Sequence, residues 1–462
     1  MPQKTCKNIT SRELCLEVII NVLEKGEFSK EILHAALKNE EIDARERAFI
    51  TNIAEGTIER KIELDYIIGL YSKVRVEKLK PYIRNILRMS IYQIIYMDKV
   101  PDNAAVNEAV KITVKKGYSG LRGYVNGVLR NIVRTYKDIT YPDKAKDVIR
   151  YYSVKYSMPE WLVKHYLSEL SQEDMDICMD YFLAKSDLTV RAVDIDNAKV
   201  LRDRFAEAGY ETESGSIFSY AYRIKNSGKV ENLPGYNDGE FVVQDESSML
   251  PAHVAYSYYK NNMARENKIN ILDMCAAPGG KTMHLVSLFK DNALYEARDV
   301  SDKKVEKIKE NLDRAKYTNV NVKAADALVK YEENKDKYDI IVADLPCSGL
   351  GVIAKKSDIK YNIKEDDLAS LSEIQAGMLD NAAYYTKKDG IIVYSTCTVN
   401  KKENEDNCSS FLNRHADFEK VNIADYIPEH MVQSVTPGGE LAVVPGRYGS
   451  DGFFVAIFKK KQ

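Results

Sequence analysis

No apolar run in the sequence approaches the roughly 20 residues that span a bilayer. The opening residues, MPQKTCKNIT, lack the apolar core of a secretory signal. A cytoplasmic location is the expectation. The seven cysteines (Cys6, Cys15, Cys178, Cys275, Cys347, Cys397 and Cys408) are scattered, with no C-x-x-C pair and no histidines at zinc-ligand spacing. Reduced thiols and no structural metal are therefore expected. Two glycine signatures are also missing. The dinucleotide pattern G-x-G-x-x-G does not occur. GGKT at 279–282 matches only the tail of G-x-x-x-x-G-K-[ST], because Cys275 stands where the first glycine belongs. A row of acidic residues around that turn would further repel a polyphosphate.

The chain has 462 residues, 45% of them hydrophobic and 29% charged, which is too long for one ordinary core and predicts two or three domains. Its net charge of −2 is unevenly spread: residues 71–140 carry 14 lysines and arginines against 5 acidic residues. A basic segment of that kind suits a nucleic-acid backbone, and suits a solvated helical surface nearly as well.

From about 10 to 137 strand alternation is absent and the apolar spacing is helical. In 79–97, Ile83, Ile86, Leu87, Ile91, Ile94 and Ile95 recur at i, i+3 and i+4, one buried helix face. Gly26 after 11–25, Pro101-Asp102, Gly117 and Ser119 mark helix ends and starts. Residues 1–140 are predicted to form an all-α domain. Residues 141–265 read as a small α/β connector, with helices at 159–170 and 197–208, a strand at 188–193 and β-rich segments leading to EFVVQDESS at 240–248.

In 266–462 short apolar runs (INILDM, LYEARD, VNVKAAD, YDIIVAD, GIIVYSTC) alternate with helical patterns at 281–290, 303–316, 366–387 and 401–414. This predicts a mainly parallel sheet of Rossmann-like type, with DGFFVAIFKK at 451–460 as a late antiparallel strand. Open α/β sheets bind ligands at the carboxyl ends of their strands. Asp273, Asp299, Asp326, Asp344 and Cys397 all fall at such ends. Gly279 and Gly280 let backbone approach a ligand closely, and a helix starting near Lys281 offers free N–H groups to a carboxylate. The methionyl carboxylate of S-adenosyl-L-methionine fits that turn, with Asp299 placed to accept from ribose hydroxyls. Asp326 either meets the adenine side or caps a turn, and Asp273 either touches the cofactor or fixes the loop.

Two further motifs, DLPCSGLG at 344–351 and YSTCTVN at 394–400, each present a cysteine just beyond an apolar strand. Carbon 5 of cytosine is a poor nucleophile until a thiolate adds to carbon 6. A cysteine pair on a cofactor rim suits that chemistry, whereas either cysteine alone would read as core packing. Asp344 is placed to protonate the cytosine N3 edge, which requires a raised pKa. The thiol of Cys275 reads as packed or cofactor-adjacent, and Cys6, Cys15, Cys178 and Cys408 as core or indifferent surface.

Together DMCAAPGGK, ARDVS, AADA, DLPCSGLG, YSTCTVN and DGFF resemble the NOL1/NOP2/Sun family of RNA cytosine-5 methyltransferases. VPDNAAVNEAVKI (100–112) and GYVNGVLRNI (123–132) resemble the RNA-binding NusB domain, and MPEWLVKHY and VVQDESSML resemble the family's connector. The resemblance covers nearly the whole chain. It implies a class I methyltransferase domain whose cofactor site is lined by Cys275, Ala276, Ala277, Pro278, Gly279, Gly280, Lys281, Asp299, Asp326 and Asp344. It also implies that Cys397 is the nucleophile and that Cys347 assists product release. Analogy with DNA enzymes, which attack from a Pro-Cys motif, would instead favour Cys347. The implied substrate is 16S ribosomal RNA, at cytosine 967, free or in an assembling small subunit, acted on by a monomer. Methylation of tRNA or of another ribosomal cytosine, and a non-catalytic assembly or antitermination role, are the competing readings. Leu345, where alanine is frequent, and Ser357, where proline is common, depart from the family pattern.

Overall fold

A computed structural model describes residues 10–38, 42–184, 187–263 and 268–462. Cys6 lies outside the described residues. The chain forms two compact units, one of residues 1–168 with 355–363 and one of 169–354 with 364–462.

The first unit is helical: α1 Ser11–Lys25, α2 Ser29–Ala36, α3 Ala44–Glu59, α4 Lys61–Tyr71, α5 Pro81–Tyr96, α6 Asp102–Lys115, α7 Arg122–Thr135 and α8 Val148–Lys155. Its ends follow local chemistry. The Thr10 side chain accepts from the Glu13 N–H while Glu13 accepts from the Thr10 N–H, and Gly26 closes α1 in the left-handed conformation at φ 73°. Pro81 occupies the first turn of α5, where no N–H is needed. The expected face of α5 is the core: Ile83, Ile86, Leu87 and Ile91 are fully buried against Leu16, Ile19, Ile53, Ile67 and Leu129. Ser119 opens a short 3-10 turn, and α7 begins three residues later.

Residues 355–363 belong to this unit through the short helix Ile359–Asn362. Tyr361 donates to the Glu59 carbonyl at 2.9 Å, Asp358 accepts from the Ser29 N–H at 2.9 Å, and Lys360 is buried.

The second unit holds two sheets among the described residues. The smaller has four strands, β1 Leu188–Ala192, β2 Thr212–Ser214, β3 Ala221–Ile224 and β4 Phe241–Val243, in the antiparallel order β2-β3-β1-β4. Of EFVVQDESS only Phe241–Val243 is strand; Asp245 then caps a 17-residue helix, Glu246–Asn262.

The larger sheet has eight strands: β5 Ile269–Asp273, β6 Ala293–Asp299, β7 Val320–Ala324, β8 Tyr338–Asp344, β9 Thr386–Thr396, β10 Phe418–Val421, β11 Leu441–Val443 and β12 Phe453–Lys460. The order is β10-β12-β9-β8-β5-β6-β7, with β11 beside β12. Strands β5 to β9 pair parallel, and β12 lies antiparallel to β9 as the sequence pattern anticipates. The parallel strands are nearly continuous apolar runs because both sheet faces are covered: Ile340, Ile341, Val342, Ile391, Ile392 and Val393 are all fully buried. The chain order reverses at β5, which has β6 on one side and β8 on the other. That switch point opens a crevice at the carboxyl ends of the strands. The helical region followed by an α/β domain is thus the fold that the patterning indicates.

Candidate active site

The turn after β5 is built to be tight. Gly279 takes φ 104°, a conformation that disfavours side-chain-bearing residues, and its N–H bonds back to the Ala276 carbonyl at 2.6 Å. The helix Gly280–Phe289 then starts with its first N–H groups directed out of its amino end. The neighbouring strand fixes the turn from the side: Ala276 N–H donates to the Arg298 carbonyl at 2.8 Å and Ala277 N–H to Asp299 Oδ2 at 2.9 Å. Asp299 is itself buried, its other oxygen accepting from the Val300 N–H and pairing with Lys304 at 2.9 Å.

Asp273 ends β5 fully enclosed. Its Oδ2 accepts from the Thr282 hydroxyl at 2.6 Å, which fastens the strand to the first turn of the helix, while Oδ1 has no hydrogen-bond partner. Burial pushes its pKa up to about 7, against the opposing pull of Thr282 and Lys281. An unpartnered buried carboxylate oxygen beside a glycine turn and a helix amino end suits a cofactor that brings a hydrogen-bond donor and a carboxylate. The residues present therefore fit S-adenosylmethionine.

Asp326 sits two residues beyond β7, where its Oδ1 accepts from the Leu328 N–H at 2.9 Å and caps a turn. The adjacent Ala325 N–H donates to the Asp299 carbonyl at 2.9 Å, so Asp326 stays next to the β6 end of the rim. The Cys275 thiol packs beside Leu272, Met274 and Tyr394, and burial raises its pKa. Cys15, Cys178 and Cys408 are fully buried core residues.

On the other side of the switch point, Lys281 reaches across to Asp344 at the end of β8, with Nζ–Oδ2 at 2.7 Å, and to Ser248 Oγ at 3.1 Å. Burial disfavours its charge, yet Asp344, Asp273 and Cys397 outweigh that cost and raise its pKa. The second oxygen of Asp344 accepts from the Ser395 hydroxyl at 2.7 Å, a bond between the ends of adjacent strands β8 and β9.

Cys347 and Cys397 follow those two strands, and their sulfurs lie 3.1 Å apart, half-buried. The Cys397 N–H also donates to the Cys347 sulfur at 3.3 Å. The hydrogen bond to Cys397, then burial, then the charges at Cys397 and Glu403 hold the Cys347 thiol well above the ordinary range. Two thiols in contact cannot both ionise easily.

Three loops lock around this pair. Gly351 N–H donates to the Cys397 carbonyl at 3.0 Å, and Gly452 N–H to the Gly351 carbonyl at 2.8 Å. The fully buried Glu403 accepts from the Ser348 N–H, Gln375 Nε2 and Asn400 Nδ2, each at 2.9 Å, and from the Ser348 hydroxyl. Sequence reasoning missed Glu403, Ser348, Ser395, Gln375 and Ser248. Glu403 sits in NKKENED, which reads as the charged start of a helix at 401–414; that helix begins only at Glu405. Nothing in one sequence distinguishes Glu403 from its solvated neighbours.

The comparisons with known proteins agree with this architecture. Residues 261–459 match the model of the 16S rRNA methyltransferase RsmB/F family, and residues 9–134 match that of the NusB family. The chain is 35% identical over 459 residues to a probable ribosomal RNA small subunit methyltransferase B of Bacillus subtilis (strain 168), covering 98% of this chain and 100% of that protein. It is 27% identical over 457 residues to ribosomal RNA small subunit methyltransferase B of Escherichia coli (strain SMS-3-5 / SECEC), covering 97% and 98%. Among solved structures, PH0851 superposes with a TM-score of 0.76 at 22% identity, over 98% of this chain and 99% of that one. NSun6 from Pyrococcus horikoshii with SFG does so with a TM-score of 0.54 at 18% identity, over 66% and 98%. The chain belongs to the RsmB/F family of methyltransferases, with a NusB-like region at its amino-terminal end.

Proposed function

We propose that this protein transfers a methyl group to carbon 5 of a cytosine in 16S ribosomal RNA, with Cys397 as the nucleophile and cytosine 967 as the position. S-adenosylmethionine supplies the methyl group from its sulfonium. The observation that carries this reading is the contact of two cysteine sulfurs, 3.1 Å apart, at the ends of adjacent strands and within electrostatic reach of Lys281.

Residues Cys275 to Lys281, with Asp299, Asp326 and Asp344, hold the cofactor, the helix amino end serving its carboxylate. The base enters beside Cys397, whose thiolate bonds to carbon 6 and makes carbon 5 nucleophilic. Asp344 gives a proton to the N3 edge, where negative charge develops as the adduct forms, and Lys281, 2.7 Å away, balances the carboxylate left behind. After methyl transfer carbon 5 gives its proton to water, the freed electron pair expels the Cys397 sulfur from carbon 6 as thiolate, and the N3 proton returns to Asp344. Cys347, held as a thiol against the same sulfur, assists that departure.

The test is transfer of labelled methyl to RNA from a strain lacking the enzyme, followed by mapping. Label at one 16S cytosine, lost in Cys397→Ala, is the expected result. Label in tRNA alone, or full transfer by Cys397→Ala, would refute the proposal.

A further inference from the structure

The two sulfurs touch, yet the charged groups beside them differ: an ammonium paired with Asp344 toward Cys397, and a carboxylate toward Cys347. Cys397 lies on the side of Lys281, whose ammonium it helps to keep charged. Cys347 lies next to Ser348, whose N–H and hydroxyl both bind the carboxylate of Glu403. Glu403 is enclosed by donors: Gln375 Nε2 also donates to the Pro346 carbonyl at 2.9 Å, and Asn400 Nδ2 comes from the loop after Cys397. The carboxylate thus ties both cysteine loops together while standing at the Cys347 end. The remaining titratable groups around the pair are Asp344 and Asp273, which flank Lys281, and Tyr394, which is buried and donates to the Glu403 carbonyl.

We propose that Glu403 selects the attacking cysteine: its buried charge, set against the Cys347 loop, keeps negative charge off Cys347 and directs the thiolate to Cys397 on the Lys281 side. Glu403 touches neither base nor cofactor in this scheme and is a positioning residue. The proposal rests on the assignment of Cys397 as nucleophile. It adds a reason why, of two thiols in contact, the later one attacks. A single charge of this kind changes the relative ionisation of two neighbours by about one pKa unit, or about tenfold.

The experiment is limiting alkylation of the full chain with iodoacetamide at neutral pH, with the modified peptides quantified by mass spectrometry. The wild type is expected to react mainly at Cys397. In Glu403→Gln the Cys397-to-Cys347 ratio is expected to fall about tenfold, and in Glu403→Asp, which keeps the charge, to fall much less. An unchanged ratio in folded Glu403→Gln overturns the proposal, as do equal shifts in both variants, which would mark a steric effect. If Glu403→Gln does not fold, the pH dependence of alkylation in the wild type decides. Cys397 must gain reactivity at lower pH than Cys347, and the reverse order overturns the proposal. The nucleophile assignment fails separately, when a trapped RNA adduct maps to a cysteine other than Cys397 whatever the alkylation ratio.

Discussion

Gly351→Ala is the sharpest probe of how Cys397, the proposed nucleophile, is held. A Cβ at position 351 would stand 2.4 Å from the Gly452 carbonyl oxygen and 2.8 Å from the Cys397 carbonyl oxygen. Both are backbone atoms, so no side chain can swing away. Carbon and oxygen are comfortable only at about 3.5 Å, so relief requires the loops to part by about 1 Å. The Gly351 N–H···O=C bond to Cys397, 3.0 Å long, lies directly in that path. Overpacking of this kind costs about 1–3 kcal/mol, which for a unit of this size lowers Tm by about 2–4 °C per kcal/mol.

The effect on rate should be larger than the effect on stability. Displacing a reacting atom by about 1 Å costs about 100-fold, and the displaced carbonyl belongs to Cys397 itself. Methyl transfer under single-turnover conditions is therefore expected to fall about 100-fold while cofactor affinity, measured by calorimetry, stays near that of the wild type. A variant that keeps its full rate would refute the idea that this contact sets the position of Cys397. An equal loss of rate and cofactor binding would place the damage in the glycine turn after β5 instead.

Three further outcomes are expected. Cys347→Ala should accumulate a covalent RNA adduct at Cys397, seen as a retarded band on a denaturing gel; an adduct-free gel counts against the division of roles. The folded pKa of Asp273 is about 7 against an ordinary 3.8, so the folded state binds the extra proton between those values and stability falls as pH rises through that window. Asp273→Asn should flatten that slope in denaturant titrations while keeping an acceptor for Thr282, and an unchanged slope would refute the assignment. Burial lowers Lys360 to about 8 against an ordinary 10.5, so the unfolded chain binds more protons between those values and stability of the helical unit rises with pH there. Lys360→Met should remove that rise, read from hydrogen exchange in α3 and α4, and a persisting rise would place its origin elsewhere.

The helical face of α5 is legible in the sequence because i, i+3 and i+4 spacing is a local code, and the same holds for the apolar runs of β5, β8 and β9. The acidic rim is legible for a different reason: Asp273, Asp299 and Asp344 each end a parallel strand, so one rule of sheet topology gathers residues far apart in the chain. Hydrogen bonding, by contrast, depends on which loops meet. Asp299 reads as a ligand for ribose, but its oxygens also hold the Ala277 and Val300 N–H groups. Asp245 reads as part of a β-rich segment, but its side chain accepts from Ser247 and starts a long helix. Short polar residues compete for backbone donors through contacts that periodicity does not encode.

Glu403 marks the limit of that local code. Its neighbours Lys401, Lys402 and Glu405 make the stretch look solvated, yet its own side chain is fully buried. A carboxylate is carried inside only when donors more than compensate its lost hydration. Here they come from Ser348, Gln375 and Asn400, on three separate segments. The segments of Ser348 and Asn400 converge because β8 and β9 are parallel neighbours whose ends emerge together, and Gln375 joins them from the helix Glu365–Tyr385. The order of strands therefore creates the cysteine contact and two sides of the carboxylate cage in one step. A change that shifted β9 against β8 by a single residue would disperse both at once, because each residue slip turns every side chain to the opposite face.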